Sequence, residues 1–282
     1  MAAIAQACSD FNEPWAALFS EERITFRVNT DMPVDGWSLV LSGAVVARGR
    51  GATMDVAFPT LRDGLAVAGA IEVQDSAGAS QKPIWLFSRK PLFPALPNLV
   101  VYDPVGATIP LLASNAISHQ PIARIEALSQ VTNGVLLVGA GISLDEAKGL
   151  SPVLFDAAAR GVRILWLEPK PGRMKLPGDD KPSPAVLNFR STAVISATDK
   201  RLRAADWRCT NAVASSFRLV ADRRLAEMEW NGPDGPWCWL DASWPSGGRL
   251  VVCGVSIVDS WENNPAPRYL LAHWLTDLSK TE

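Results

Sequence analysis

The chain has 282 residues, of which 48% are hydrophobic and 20% are charged, a balance typical of folded globular proteins. Its formal net charge of −2 and its lack of a Lys/Arg cluster give no support for a nucleic-acid or anionic-membrane surface. The first residues lack the basic segment of a signal peptide, and no apolar run reaches the ~18 residues that a membrane span needs. The sequence therefore predicts a soluble chain with room for two domains, and it leaves the compartment open.

The four cysteines are scattered along the chain and form no C-x-x-C pair, so the spacing of a zinc site is absent. We predict no metal and no cofactor. Cys238 and Cys253 lie on two predicted strands, which leaves a disulfide between them open. The favoured interpretation is that both are small buried residues.

The first part of the chain predicts β structure. Ile24, Phe26 and Val28 alternate with polar residues, which is the period of a half-exposed strand. About six such runs, separated by turn signals, predict a small immunoglobulin-like β-sandwich over residues 21–93. Residues 1–20 are predicted to form an N-terminal arm, with a short helix over 10–19 as the alternative.

Three prolines in nine residues, from Arg89 to Pro97, predict a stiff connector and a domain boundary. Beyond it, three runs are apolar on successive residues, at 99–102, 135–138 and 162–167. Segments with helix-like content, 107–116 and 151–160, lie between them. Buried strands that alternate with helices predict an α/β domain over 94–282, with a doubly wound, mostly parallel sheet.

Later segments complete this domain. We predict a strand at 193–196, a hairpin of 226–230 with 237–240, a buried strand at 250–253 and a closing amphipathic helix from Pro267 to Leu278.

The carboxyl ends of the parallel strands are where such sheets place ligands. Five residues fall there and form the candidate site: Asp103, Gly139, Gly141, Ser143 and Glu168.

Each of these candidates has a structural alternative. The Gly139-x-Gly141 turn begins like a dinucleotide fingerprint, but Leu144 occupies the place of the third glycine, so a tight structural turn is favoured. Asp103 is the best single catalytic candidate, with an Asp-Pro turn that caps the next helix ranked above catalysis. Nucleophilic catalysis finds little support, because the chain has neither G-x-S-x-G nor G-x-C-x-G. A Cys253 nucleophile would need His119 or His273 as its base.

Tryptophans cluster late in the sequence. Trp237, Trp239 and Trp261 are candidate ligand-binding residues, because an exposed indole stacks on sugar rings and alternation would place the first two on one strand face. The alternative is that these tryptophans pack between domains.

Three segments carry a resemblance to a known family. They are Asn-Leu-Val-Val-Tyr-Asp-Pro-Val-Gly-Ala-Thr (98–108), Gly-Val-Leu-Leu-Val-Gly-Ala-Gly (134–141) and Ala-Ala-Arg-Gly-Val-Arg-Ile-Leu-Trp-Leu (158–167). After a β-sandwich, this order resembles the region that follows the catalytic barrel in bacterial proteins of the glycoside hydrolase family 2 (β-galactosidase-like) kind. In those proteins a sandwich precedes a class I glutamine-amidotransferase-like, flavodoxin-like domain. The segments 251–254 and 261–268 resemble their last strand and helix start.

The resemblance implies the scaffold rather than an activity. Ala140 stands in place of one glycine of the amidotransferase Pro-Gly-Gly motif, and the family's Cys elbow and His-x-Glu pair have no match. We therefore expect a non-catalytic accessory or assembly module of a carbohydrate-active protein. Its expected partners are a glycoside hydrolase-like catalytic domain or subunit, carbohydrate, or a second copy of the chain. The alternatives are a hydrolase with a site at the strand ends, and a carbohydrate-binding module that uses the late tryptophans.

Overall fold

The computed structural model describes residues 10–11, 16–29, 33–76, 78–143, 145–147, 149–176, 182–203, 207, 212–213, 217–221, 226–228, 231–232 and 235–280. By their contacts, the residues divide into two compact units. One is residues 1–92 with two short later segments, and the other is most of 93–282.

The first unit is built from short strands that form two sheets. The strands are β1 (Asp10–Phe11), β2 (Ala17–Phe19), β3 (Arg23–Asn29), β4 (Val34–Leu41), β5 (Ala44–Gly49), β6 (Thr53–Ala57), β7 (Ala66–Asp75) and β8 (Gly78–Phe87). One sheet has the order β1-β3-β6 and the other β2-β8-β7-β4-β5. Inward side chains such as Phe26, Leu39 and Met54 are fully buried in one apolar core. The predicted sandwich-like, β-rich first region is confirmed.

The described part of the predicted arm differs from a helix. Its residues form β1, which pairs with β3, and β2, which pairs in parallel with β8. Leu18 and Phe19 are fully buried, so the apolar side chains at the end of the segment add to the sandwich. If this segment were helical, its backbone could not pair with the strands of the two sheets.

The rest of the chain alternates strands and helices. The elements are β9 (Leu99–Tyr102), α1 (Ile109–Ser114), β10 (Gln120–Ile122), the 3-10 helix η1 (Ile125–Gln130), β11 (Val135–Val138), α2 (Leu150–Ala159), β12 (Arg163–Leu167), β13 (Gly172–Lys175), β14 (Val186–Arg190), α3 (Ala193–Thr198), β15 (Phe217–Ala221), β16 (Ala226–Met228), β17 (Asn231–Gly232), β18 (Gly235–Pro236), β19 (Trp239–Ser243), β20 (Arg249–Cys253) and α4 (Pro265–Ser279).

A seven-stranded mixed sheet organises the second unit. Its order is β10-β9-β11-β12-β20-β19-β14. The first five strands are parallel, and β19 and β14 continue the sheet in antiparallel fashion. The four residues of β11 are all buried, which explains their continuous apolar run. A mixed sheet with a large parallel part is therefore confirmed.

Helices lie on both faces of this sheet. On one face, Leu154 and Phe155 of α2 join the core formed by Leu136, Ile164 and Trp166. On the other face, Asp277 of α4 accepts a hydrogen bond from Arg249 Nη1 (2.7 Å), and Trp274 packs on Trp239 with ring centroids 4.6 Å apart. The parallel strands are thus covered on both sides.

Two local predictions were wrong. Residues 193–196 form the helix α3 rather than a strand, and Ser191 supports its start by accepting hydrogen bonds from the Ala193 and Val194 N–H groups. In the described residues, the predicted hairpin of 226–230 with 237–240 is present only at its tip, where β17 pairs antiparallel with β18, and β16 and β19 do not pair with each other. Instead, β16 pairs with β15, and β19 lies between β20 and β14. Leu144 and Trp230 lie outside the described residues.

Candidate functional site

Asp103 lies directly after β9 and holds the turn that leads into α1. Its Oδ1 accepts a hydrogen bond from the Gly106 N–H (3.1 Å). Its Oδ2 accepts from the Thr108 and Ile109 N–H groups, both at 2.8 Å. Asp103 is 8% exposed, so its carboxylate is largely withdrawn from solvent and is satisfied by its own loop.

The Gly139–Gly141 turn connects the loops on either side of it. The buried Thr108 Oγ accepts a hydrogen bond from the Ala140 N–H (2.9 Å), which joins the turn to the Asp103 loop. The Gly141 N–H donates to the Glu168 carbonyl (2.9 Å), which joins it to the loop after β12. A Cβ at Gly139 would lie 2.8 Å from Asp103 Cγ, and Gly141 has a φ of +79°. Both glycines are therefore required by close approach or by backbone conformation.

Ser143 takes part in the same backbone network. Its Oγ accepts a hydrogen bond from the Glu146 N–H (3.2 Å), and its backbone forms a bridge with Lys170. The Lys170 N–H donates to the Ile142 carbonyl at 2.9 Å. The hydroxyl thus begins a local turn, and no contact joins it to a histidine.

Glu168 is the most unusual residue at this edge. It is 5% exposed, its φ is +39°, and its Oε1 accepts a hydrogen bond from the Val258 N–H in the loop after β20. Burial raises the pKa of Glu168 to about 7, and the charge of Asp259 adds to this increase. The N–H groups of Ile257, Val258 and Asp259 act in the opposite direction by stabilising the carboxylate.

The carboxyl-end loops, which we define as residues 103–108, 139–143, 168–170 and 254–259, are therefore joined to one another in series. Asp103 approaches Gly139, and Glu168 approaches Gly141 and Val258. The structure does not bring Asp103 and Glu168 together, since β11 and the turn that follows it lie between their strands.

The alternative of a Cys253 nucleophile lacks a histidine base. Cys253 is fully buried, and burial raises its pKa well above the usual range, so the reactive thiolate is disfavoured. His119 adjoins β10, four strand spacings from β20, or about 19 Å at ~4.8 Å per spacing. His273 is exposed on α4. Cys238 and Cys253 are both free thiols.

The tryptophans differ in exposure. Trp239 is 5% exposed and packs on Trp274, while Trp261 is 4% exposed, with Phe93 stacked on it and Arg268 over its ring. Trp237 is half-buried, precedes β19 and stacks on Phe189 with ring centroids 3.9 Å apart. Trp237 alone of the three candidates is not buried, and their role in ligand binding stays a prediction.

Sequence reasoning favoured a turn into the next helix for Asp103 without naming its partners, and it missed the partner of Glu168. Thr108 carries a usable signal, because a threonine directly before Ile109-Pro110 is typical of a helix start. The Val258 amide carries none, since it is 90 residues from Glu168 and any residue other than proline supplies an N–H.

The described residues contain no group of three His, Cys, Asp or Glu side chains placed to hold a metal ion. None of their helices combines the length and apolar character that crossing a bilayer requires.

No protein-family model matches the chain, and a search of curated proteins found no match. Solved structures show weak, low-identity similarity, including to carbohydrate-active proteins. The fibronectin(III)-like modules of Clostridium thermocellum CbhA match at 11% identity, covering 28% of this chain and 92% of theirs, with a TM-score of 0.21. A Photobacterium sp. JT-ISH-224 2,6-sialyltransferase matches at 11%, covering 58% of this chain and 43% of its own, with a TM-score of 0.24. The Parabacteroides merdae β-glucuronidase matches at 11%, covering 56% and 22%, with a TM-score of 0.21.

The chain thus spans less than half the length of the two enzymes. At these TM-scores the similarity assigns neither a family nor a function.

Proposed function

We propose that this chain is a non-catalytic accessory or assembly module of a carbohydrate-active, glycoside hydrolase-like protein. It would combine an immunoglobulin-like sandwich with a degenerate amidotransferase-like domain. The proposed partners are a catalytic domain or subunit of such a protein, carbohydrate, and a second copy of the chain.

One observation carries the non-catalytic part of the proposal: the acids at the carboxyl ends of the strands bind the chain's own backbone. Asp103 accepts hydrogen bonds from three backbone N–H groups, and Glu168 accepts one from the Val258 N–H. A catalytic carboxylate must instead reach a proton or a reacting atom of the substrate. Withdrawing Asp103 from its donors would leave the buried Thr108 N–H unsatisfied, at a cost of about 1–3 kcal/mol.

The order of the parallel strands supports the amidotransferase-like assignment. Counted along the chain, the five parallel strands have the order 2-1-3-4-5, which flavodoxin-like sheets also have. The missing elbow, the absent His-x-Glu pair and Ala140 in the glycine motif support the word degenerate.

The association with carbohydrate rests on the sequence resemblance. A sandwich followed by the segments 98–108, 134–141 and 158–167 is the arrangement found after the barrel in family 2-like proteins. The weak structural similarities add nothing to this argument.

The experiment that tests the proposal is an activity screen of the purified chain against nitrophenyl glycosides and against glutamine. We expect no turnover above that of buffer. Hydrolysis that is lost in folded Asp103→Asn or Glu168→Gln protein would overturn the proposal. Near-ultraviolet circular dichroism of each variant distinguishes a lost site from a lost fold.

A hydrolase is the second candidate, and Glu168 is the observation that favours it. A carboxyl group with a pKa of about 7 at a strand end suits general acid–base catalysis at neutral pH. The direction of its carboxylate, toward the Val258 N–H, weighs against this function. An activity whose pH profile has an inflection near 7 in the wild type, and none in Glu168→Gln, would favour the hydrolase.

A further inference from the structure

A cavity lies at the amino ends of the parallel strands, opposite the edge to which the sequence motifs point. It has a volume of about 390 Å³ and is bounded by the start of β9, by β10, by η1 and by the segment that leads to β11. This volume is in the lower part of the range for small-molecule sites, about 300–1,000 Å³. We call it the amino-end cavity.

The walls of the amino-end cavity are fixed by the fold. The strand β10 is held in register on β9, with Gln120 opposite Val100. The 3-10 helix is anchored by the fully buried Leu128, whose carbonyl accepts a hydrogen bond from the Val131 N–H (3.2 Å). These contacts fix the backbone that carries the lining side chains before any ligand arrives, which lowers the entropic cost of binding.

Gly134 fixes the remaining wall. Its φ is +81°, and a Cβ there would lie 2.7 Å from Asn98 Cβ, so only glycine lets the segment before β11 approach the start of β9 so closely. The Val135 N–H then donates to the Asn98 carbonyl at 3.3 Å.

The lining contains no permanently charged side chain. None of the thirteen described residues that line the cavity is Asp, Glu, Lys or Arg. The polar groups are the amides of Asn98, Gln120, Gln130 and Asn133 and the hydroxyls of Ser118 and Thr132. The floor includes apolar side chains, among them those of Val100 and Ile122, which also pack on the core of the unit.

His119 adds a directed group to this lining. Its Nδ1 lies 2.8 Å from the Ile117 carbonyl, so Nδ1 carries the hydrogen in the neutral ring and Nε2 is an acceptor. Amides, hydroxyls and this imidazole supply both donors and acceptors.

This combination selects a class of ligand. A phosphate or carboxylate group would find no lysine or arginine in the lining, and an amine would find no carboxylate, so each would be desolvated without such a partner. A neutral compound with many hydroxyl groups can use the donors and acceptors together and can place its carbon skeleton on the apolar floor.

We propose that the amino-end cavity is a binding site for a neutral saccharide of about one sugar ring. The proposal deepens the carbohydrate-related role proposed above and makes a separate claim about where the ligand binds.

The first test is isothermal titration of the purified chain with D-glucose, D-galactose, D-mannose and N-acetyl-D-glucosamine. D-Glucuronate and D-glucosamine are the matched charged probes. We expect saturable binding of at least one neutral sugar and at least about tenfold weaker binding of its charged counterpart. No saturable binding of any neutral sugar, or equal binding of the charged probes, would overturn the proposal.

The second test places the binding in the cavity. Gln120→Ala and Asn133→Ala each remove one amide, and we expect each to weaken sugar binding by about three- to tenfold. Gln81→Ala removes an amide that is also exposed, on β8 of the first unit, and is expected to leave the affinity unchanged. If neither cavity variant changes the affinity for the sugar, or if Gln81→Ala lowers it by as much, the sugar binds elsewhere and the proposal is overturned.

The third test is a steric variant. Ala127→Trp, on η1, fills the cavity from one side and is expected to abolish binding in protein whose circular dichroism is unchanged. Retained affinity in this folded variant would contradict the site. Each of these failures would leave the non-catalytic proposal standing, because that proposal is tested by hydrolysis alone.

Discussion

The two ends of the parallel strands in the second unit differ in how they use polar side chains. At the carboxyl ends, Asp103, Thr108 and Glu168 are buried, and Asp103 binds N–H groups of its own loop while Thr108 and Glu168 bind N–H groups of neighbouring loops. In the amino-end cavity, the polar side chains are amides, hydroxyls and one imidazole, and most are exposed around a volume of about 390 Å³.

Charged residues at strand ends are therefore a poor guide to a binding surface. An acid at the carboxyl end of a strand suggests chemistry, yet Asp103 holds its own loop and Glu168 joins two loops that are remote in sequence. Buried polar groups must be satisfied by partners within the protein, whereas exposed neutral groups can exchange water for a ligand.

The largest expected effect is at Asp103. We expect Asp103→Ala to lower the free energy of unfolding by about 4 kcal/mol, because three backbone N–H groups lose their acceptor. Urea denaturation followed by fluorescence measures the change.

The matched control for this variant is Asp63→Ala, at an exposed position of the first unit, which is expected to change stability by less than about 0.5 kcal/mol. A loss at Asp103 no larger than at Asp63 would show that the Asp103 contacts do not hold the loop.

Glu168 predicts a pH dependence. Its pKa is about 7 in the folded chain, against 4.5 for an ordinary glutamate, so the folded state binds the proton more tightly than the unfolded state. The resulting stabilisation is fully present below pH 4.5 and is lost as the pH rises toward and through 7, with a total of about 3 kcal/mol.

Glu168→Gln removes this titration. The difference in unfolding free energy between the variant and the wild type should change with pH between 4.5 and 7, in favour of the variant at the upper end. Urea midpoints at several pH values give the result. If the unfolding free energies of the two proteins change with pH in parallel, the raised pKa of the Glu168 carboxyl group is contradicted.

The Gly139-x-Gly141 turn predicts two unequal effects. Gly139→Ala should cost about 2–3 kcal/mol, since the new methyl group meets the Asp103 carboxylate. Gly141→Ala should cost about 1 kcal/mol, because its Cβ would lie 3.5 Å from Val105 and only the φ of +79° is unfavourable. Thermal unfolding of both variants decides the order, and the reverse order would contradict the packing of Asp103 on Gly139.

The smallest effect is expected at the amino-end cavity. Gln120→Ala and Asn133→Ala should each change the unfolding free energy by less than about 0.5 kcal/mol, because both side chains are exposed. Losses above about 2 kcal/mol in urea denaturation would show that these amides support the fold rather than face a ligand.

Much of the fold follows from local patterns. The apolar run Val135–Val138 predicts a strand buried on both faces, and the alternation of apolar and polar residues around Phe26 predicts the sandwich. The edge strand β10 was missed because Gln120-Pro121-Ile122 is short, polar and interrupted by proline, which only an edge tolerates. The helix at 193–196 was missed because a short β-branched run fits a buried helix equally well.

The site was harder to predict because its partners are remote in sequence. Asp103 and Glu168 could be placed at strand ends, but the acceptor role of Glu168 depends on the Val258 N–H, which only the fold brings near. The amino-end cavity collects ordinary polar residues from several segments, none of which forms a motif.

The contrast between the two ends of the parallel strands is tested most directly by a nitrogen–proton NMR titration of the ¹⁵N-labelled chain with D-galactose and D-glucose. Our prediction is that the side-chain amide signals of Gln120 and Asn133 shift, while the backbone amide signals of Thr108, Ile109 and Val258 stay in place and exchange slowly with solvent. Shifts concentrated at Thr108, Ile109 and Val258, with the cavity amides unchanged, would contradict it and would return the functional site to the carboxyl ends of the strands.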